Sequence, residues 1–121
     1  MSIHTTGLIL SYDRATREAL RWAIGEVLDE VHIASSWQIA LRQAGVQHPT
    51  VAVVDFDHVA PQGRVLLSKL LALRYGTYIV AIGTSDNVGD AARHGIQATM
   101  IKPLNQTRLM EQVSRAARLS S

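Results

Sequence analysis

The feature of this sequence that most restricts its fold is a regular alternation of short apolar runs with longer segments of helical spacing. We predict strands at five apolar runs, over residues 7–11, 31–34, 50–54, 77–83 and 98–101. Because parallel neighbours need a crossover connection, strands that alternate with helices favour a parallel sheet covered on both faces. The sequence therefore predicts an α/β fold of the doubly wound class.

The segments that follow the strands are predicted to be helical. They cover 14–30, 35–45, 63–76, 86–95 and 105–119. We expect a serine to cap the second helix and Gly45 to end it. The whole pattern predicts one domain over 1–121: a flavodoxin-like (βα)5 three-layer sandwich with a five-stranded parallel sheet.

Composition narrows the function classes. The chain has no cysteine, which excludes disulfides and thiolate metal sites. No apolar stretch approaches the roughly 20 residues that span a bilayer, and the first residues do not form a secretory leader, so we expect a cytoplasmic protein without a membrane partner. The net charge is +2, and the arginines neither cluster nor alternate with aromatic residues. We therefore expect nucleic-acid contact only through a separate output domain.

The third predicted strand, TVAVV, is followed closely by two carboxylates, Asp55 and Asp57. Its β-branched run without polar alternation is typical of a strand buried on both faces. In doubly wound sheets, ligands and chemistry gather beyond the carboxyl ends of the strands. We therefore expect Asp55 to lie in the functional crevice.

Four residues within this pattern resemble the receiver domains of response regulators in two-component signalling. In that family the third strand ends in a phospho-accepting aspartate with a glycine eight residues later, matched here by Asp55 and Gly63. A lysine-proline pair follows the fifth strand, matched by Lys102 and Pro103. The resemblance spans nearly the whole chain. It implies a signalling module rather than an enzyme, in which a histidine kinase phosphorylates Asp55 while Mg²⁺ and Lys102 neutralise the phosphoryl oxygens.

Other positions depart from the family pattern. The acidic pair that holds Mg²⁺ falls on Ser11 and Tyr12, and the hydroxyl residue after the fourth strand falls on Gly83, with Thr84 behind it as a displaced substitute. The aromatic switch position is Thr99, and the fourth helix is shorter than in the family. We therefore predict an atypical receiver, or pseudo-receiver, that has lost conventional Mg²⁺-dependent phosphorylation and acts through protein-protein contact.

Alternatives remain open for Asp55. It is either a working phosphoacceptor or a structural carboxylate that pairs with Lys102 and caps a loop. A third hypothesis is a rearranged Mg²⁺ site of Asp13, Asp55 and Asp57, although we expect the last two side chains to point apart and hence no bound cofactor. A flavodoxin-like nucleotide binder or enzyme ranks last, because no glycine-rich loop follows the first strand.

The partners implied by the resemblance are proteins: a histidine kinase, another signalling protein or a fused output domain. Residues 117–121 are then a tail or the start of a linker to that domain. Trp22 lies off the apolar stripe of the first helix, so we expect it to be exposed and to mark an interface. Whether two copies of the chain pair is open.

Overall fold

A computed structural model of the chain describes residues 4–57, 77–93, 95, 96 and 98–120. Five strands form one parallel sheet in the order β2-β1-β3-β4-β5. The strands are β1 (Thr6–Leu10), β2 (Glu30–Ala34), β3 (Val51–Asp55), β4 (Tyr78–Gly83) and β5 (Ala98–Ile101). All five lie where the apolar runs predict them, and the doubly wound fold class is confirmed.

Four helices lie among the described residues. They are α1 (Arg14–Gly25), α2 (Trp37–Gln47), α3 (Ser85–Arg93) and α4 (Gln106–Ser120). The helix predicted over 63–76, together with Gly63, lies outside the described residues. The helix predicted over 86–95 is present as α3, a short helix of nine residues whose ends differ by one and two positions from the prediction. Within the described part of the chain, no helix combines the length and apolarity needed to cross a membrane.

The sheet has a hydrophobic core on each face, because successive strand residues point to opposite sides. The core on one face joins the strands to α2 and α3, and its members include Leu10, Trp37, Val54 and Ala91. The core on the other face joins the strands to α1 and α4, and its members include Ile9, Leu20, Val53 and Leu109. Burial on both faces explains why the central strands carry apolar residues at consecutive positions.

Helix α1 is shorter than its apolar spacing suggests. It begins after Asp13, whose carboxylate accepts the backbone N–H of Thr16 at 3.0 Å, and it ends at Gly25. Val27 and Leu28 lie in the turn that follows, yet both still pack on the core. The apolar stripe is therefore real, but its last turn is not helical.

Helix α2 begins at the predicted serine cap, which is Ser36. It continues through Gly45 and ends at Gln47, and the cap residue His48 has a left-handed backbone with φ 47°. A residue before proline is disfavoured in the right-handed helical region, and His48 precedes Pro49. The predicted stop at Gly45 is therefore wrong, because the proline rather than the glycine sets the end of the helix.

Candidate functional site

The carboxyl ends of the strands meet at one edge of the sheet, and the candidate site lies there. Lys102, directly after β5, places Nζ 2.9 Å from Oδ2 of Asp55 and 3.0 Å from Oδ2 of Asp57. Asp55 is the last residue of β3 and is completely buried. The predicted contact between Asp55 and Lys102 is thus present, and a second carboxylate shares the same lysine.

The lysine carries its charge because the carboxylates outweigh its burial. Burial by itself lowers the pKa of Lys102, whereas the hydrogen bonds and charges of Asp55 and Asp57 raise it, and the net pKa lies above the ordinary value of 10.5. Two carboxylates and one ammonium leave a single net negative charge in this cluster. The site is therefore nearly neutralised by the chain's own side chains.

Both carboxylate oxygens of Asp55 accept hydrogen bonds. The Ser11 hydroxyl donates to Oδ2 at 2.8 Å, next to Lys102, and the backbone N–H of Asp57 donates to Oδ1 at 3.0 Å. A buried carboxylate needs such partners because burial removes its water. These contacts match the alternative in which Asp55 pairs with the lysine and caps the loop after β3.

Ser11 has a role that the sequence did not predict. Its side chain is buried and is fixed by the backbone N–H of Asp13, which donates to Oγ at 3.1 Å. Arg17 also donates from Nη1 to the Ser11 carbonyl at 2.9 Å. The family pattern marks position 11 only as a missing acid, whereas in the structure Ser11 is a hydrogen-bond donor to Asp55. The only signal was its place directly after a buried strand that faces the site.

Asp57 accepts hydrogen bonds at Oδ1 from two groups of the β4-α3 connection. The backbone N–H of Thr84 donates at 2.9 Å and the side-chain amide of Asn87 donates at 2.8 Å. Burial alone raises the pKa of Asp57, but these bonds and Lys102 outweigh it and lower the pKa to about 2. Asn87 was not predicted as a site residue; it lies three positions after Thr84, in the first turn of α3.

The expectation that Asp55 and Asp57 point apart is wrong. The two residues are two positions apart, and alternate residues along an extended chain share a side. The extended path continues past Asp55, since the N–H of Phe56 donates to the carbonyl of Ile82 at 2.9 Å. Both carboxylates therefore reach Lys102.

Asp57 also fills space that a side chain on Gly83 would need. A Cβ placed on Gly83 would lie 2.9 Å from Oδ1 of Asp57, closer than such atoms normally approach. The φ of Gly83 is +154°, a value that residues with a side chain rarely adopt. The hydroxyl position of the family pattern therefore has no room for a hydroxyl here, and Thr84 reaches the site through its backbone N–H.

The three residues of the hypothesised Mg²⁺ site, Asp13, Asp55 and Asp57, do not make an obvious ligand set in this arrangement. Asp13 lies at the start of α1, and Tyr12 is 42% exposed with its hydroxyl accepting the backbone N–H of Trp37 at 3.2 Å. In the described ranges, no three histidine, cysteine or acidic side chains are grouped to hold a metal. Mg²⁺ demands a near-ideal octahedron of oxygen ligands, whereas the oxygens of Asp55 and Asp57 already accept hydrogen bonds. The residues as arranged do not fit the ion.

Similarity to solved structures identifies the architecture. A response-regulator receiver domain protein from Methanospirillum hungatei superposes with a TM-score of 0.83 at 21% identity, covering 98% of this chain and 97% of that one. The chain has the receiver fold. The signal receiver domain of a two-component response regulator from Bacteroides fragilis gives 0.83 at 18% identity, covering 95% and 98%. A pilus assembly-related protein from Burkholderia pseudomallei gives 0.78 at 21%, covering 98% and 94%.

Comparison of the sequence with protein families and with curated proteins gives no match. Within the receiver fold, the ends of β3 and β5 bring Asp55 and Lys102 together where the resemblance predicts the acceptor and its lysine. The roles of these residues, of Thr84 and of the surface residue Trp22 remain predictions.

Proposed function

We propose that this chain is an atypical receiver domain of two-component-type signalling, which acts through protein-protein contact and has lost conventional Mg²⁺-dependent phosphorylation of Asp55. The observation that carries the proposal is that both oxygens of the Asp55 carboxylate accept hydrogen bonds from the chain itself. Ser11, Lys102 and the backbone N–H of Asp57 occupy its two oxygens. The acceptor position is retained, but its nucleophilic atoms are engaged.

The chemistry of phosphoryl transfer gives the reason. A carboxylate that attacks phosphorus must present an oxygen in line with the leaving group, while cations stabilise charge on the transferred group. Here Oδ2 of Asp55 accepts from both Ser11 and Lys102, so attack by this oxygen requires the loss of one of these hydrogen bonds. Ser11 and Tyr12 supply no carboxylate for a divalent cation. Both changes oppose transfer to Asp55.

The surface offers a contact point for a partner. Trp22 is 59% exposed on α1, and this exposure supports the proposal of an interface there. Exposed tryptophans are enriched among residues that dominate binding energy at interfaces. We propose that α1 around Trp22 contacts a histidine kinase, another signalling protein or a fused output domain.

The test is intact mass after incubation with Mg²⁺ and acetyl phosphate. We expect no phosphoryl adduct on the wild type, under conditions where an ordinary receiver domain becomes labelled. The double variant S11D/Y12D, which restores two carboxylates after β1, is the matched gain-of-function control. An adduct on the wild type that is absent from Asp55→Asn would instead support the alternative, a working phosphoacceptor.

A further inference from the structure

Three hydrogen-bond donors from two parts of the chain, the β4-α3 connection and the residue after β5, converge on the carboxylate of Asp57. They are the backbone N–H of Thr84 after β4, the side-chain amide of Asn87 on α3 and the ammonium of Lys102 after β5. We refer to these three groups as the donor cluster. They bind the two oxygens of one anion at 2.8–3.0 Å, and that anion belongs to the protein itself.

The chemistry of the donor cluster is that of an oxyanion site. It combines a positive charge with two neutral N–H donors, one of them at the N-terminal end of a nine-residue helix where the backbone N–H groups carry partial positive charge. Groups of this kind bind phosphate and other oxyanions when they converge from different directions. In this chain they converge on Asp57, which is itself largely buried.

Gly83 makes room for the internal anion. Oδ1 of Asp57 lies where it would crowd any Cβ at position 83, at 2.9 Å. The absence of a side chain there and the presence of a carboxylate at Asp57 are therefore complementary. This fit between Gly83 and the Asp57 carboxylate is a second observation, independent of the hydrogen bonds. It also indicates that the carboxylate occupies this position in the folded protein.

We propose that Asp57 is a resident anion that occupies the donor cluster and closes it to phosphate-class oxyanions from solution. The cluster becomes available to such an anion only when the Asp57 carboxylate is removed or displaced. This inference rests on the proposed function, because it assumes that signalling takes place at the carboxyl ends of the strands, where Asp55 lies. It concerns anion binding rather than transfer to Asp55.

The experiment is a titration with inorganic phosphate followed by NMR at constant ionic strength, without Mg²⁺ or phosphodonor. The probes are the Thr84 amide and the Asn87 side-chain amide. In Asp57→Ala we expect saturable shifts of both signals, with an affinity at least about tenfold above that of the wild type, which corresponds to about 1.4 kcal/mol. Asp86→Ala is the matched control, because it removes an exposed carboxylate from the same turn of α3.

Equal phosphate responses of Asp57→Ala and Asp86→Ala would overturn the proposal. If Asp57→Ala does not fold, Asp57→Ser leaves a short polar side chain beside the donor cluster and carries the same expectation. The wild type provides a further check through the carboxyl ¹³C signal of Asp57. A resident anion titrates well below 3.8, and an ordinary midpoint would also overturn the proposal.

The two tests at this site can fail separately. The mass measurement depends on Asp55 and a phosphodonor, whereas the titration depends on Asp57 and uses phosphate alone. An adduct on Asp55 together with phosphate binding by Asp57→Ala would contradict the loss of phosphorylation and leave the resident anion supported. If no adduct forms and Asp57→Ala does not respond to phosphate, the loss of phosphorylation is supported and the resident anion is contradicted.

Discussion

The two ends of the parallel sheet carry similar ionic contacts in different surroundings. At the carboxyl end, Lys102 lies 2.9 Å from Asp55, whose side chain is fully buried. At the amino end, His4 lies 2.9 Å from Glu30, and these side chains are 65% and 48% exposed. The distances are equal, so the difference in energetic weight between the two ends comes from burial rather than from geometry.

The hydrogen bonds around the charges differ in the same way. At the amino end, the backbone N–H of Thr5 donates to Asp29 at 2.8 Å, and this bond lowers the pKa of Asp29, but water can replace the donor. At the carboxyl end, water has little access to Asp55, and the chain supplies the donors. A change of one residue therefore leaves a buried charge unsatisfied at one end and a solvated charge at the other.

The largest effect is expected from Lys102→Met, which leaves Asp55 and Asp57 side by side without their cation. Breaking a buried pair by removing one partner costs about 3–5 kcal/mol of unfolding free energy. Urea denaturation measures the loss. Arg14→Met is the control, because Arg14 pairs with Glu18 in an exposed contact whose loss costs about 0.5 kcal/mol or less. A loss for Lys102→Met no larger than this control would contradict the weight given to burial.

A second, smaller effect is expected on acidification. The folded pKa of Asp57, about 2, lies below its unfolded value of 3.8, so its contribution is fully present above about pH 4 and is lost as the pH falls toward 2. At about 1.4 kcal/mol per pKa unit, the contribution is about 2 kcal/mol.

Urea denaturation of the wild type and of Asp57→Asn across this pH range checks the expectation. The difference in unfolding free energy between the two proteins should shrink as the pH falls from 4 to 2. Asp86→Asn, at an exposed carboxylate of α3, should show no such convergence. If the difference in unfolding free energy between wild type and Asp57→Asn does not change with pH, the three donors do not stabilise the charged form of Asp57.

Ser11→Ala is expected to rank third. It removes the hydroxyl that donates to Asp55 and accepts from the backbone N–H of Asp13, while Lys102 still neutralises the carboxylate. The loss of a buried hydrogen bond to a charged group costs about 1.5–3 kcal/mol, and the remaining donors favour the lower part of that range. Thermal unfolding measures this loss of stability, with Ser35→Ala as the control because Ser35 is exposed. Equal melting temperatures would show that Ser11 does not support Asp55.

The smallest effect is expected at the amino end. The hydrogen bond to Glu30 raises the pKa of His4 above 6.5, so its contribution is present at lower pH and is lost as the pH rises through the folded pKa. Because His4 is solvated, we expect wild type and His4→Gln to melt together at about pH 5.5 and at about pH 8. A melting difference between the two proteins as large as that caused by Ser11→Ala would break the comparison between the two ends.

The fold was predictable because it follows from the period and order of apolar residues. Each of the five strands lies within one residue of its predicted start and end. The meeting of Asp55 and Lys102 was predictable for the same reason, since the carboxyl ends of parallel strands share one edge. These conclusions need only the backbone topology.

The remaining parts of the site were not predictable, because they depend on side-chain directions and on the chain path between elements. The donation from Ser11 to Asp55 requires the exact position of the turn after β1. Asn87 enters the site only because α3 starts directly after β4. The end of α2 at Gln47 was not predictable from Gly45 alone, because glycine is tolerated inside a helix and Pro49 supplies the stop.

The shared space of Gly83 and Asp57 makes these two positions interdependent. A side chain introduced at position 83 alone would collide with the carboxylate, whereas shortening Asp57 alone would leave donors without an acceptor. The effects of changes at the two positions on stability should therefore not add. On the proposal that Asp57 is a resident anion, a glycine that ends β4 combined with an aspartate two residues after the end of β3 is the two-position sequence pattern expected of such a site.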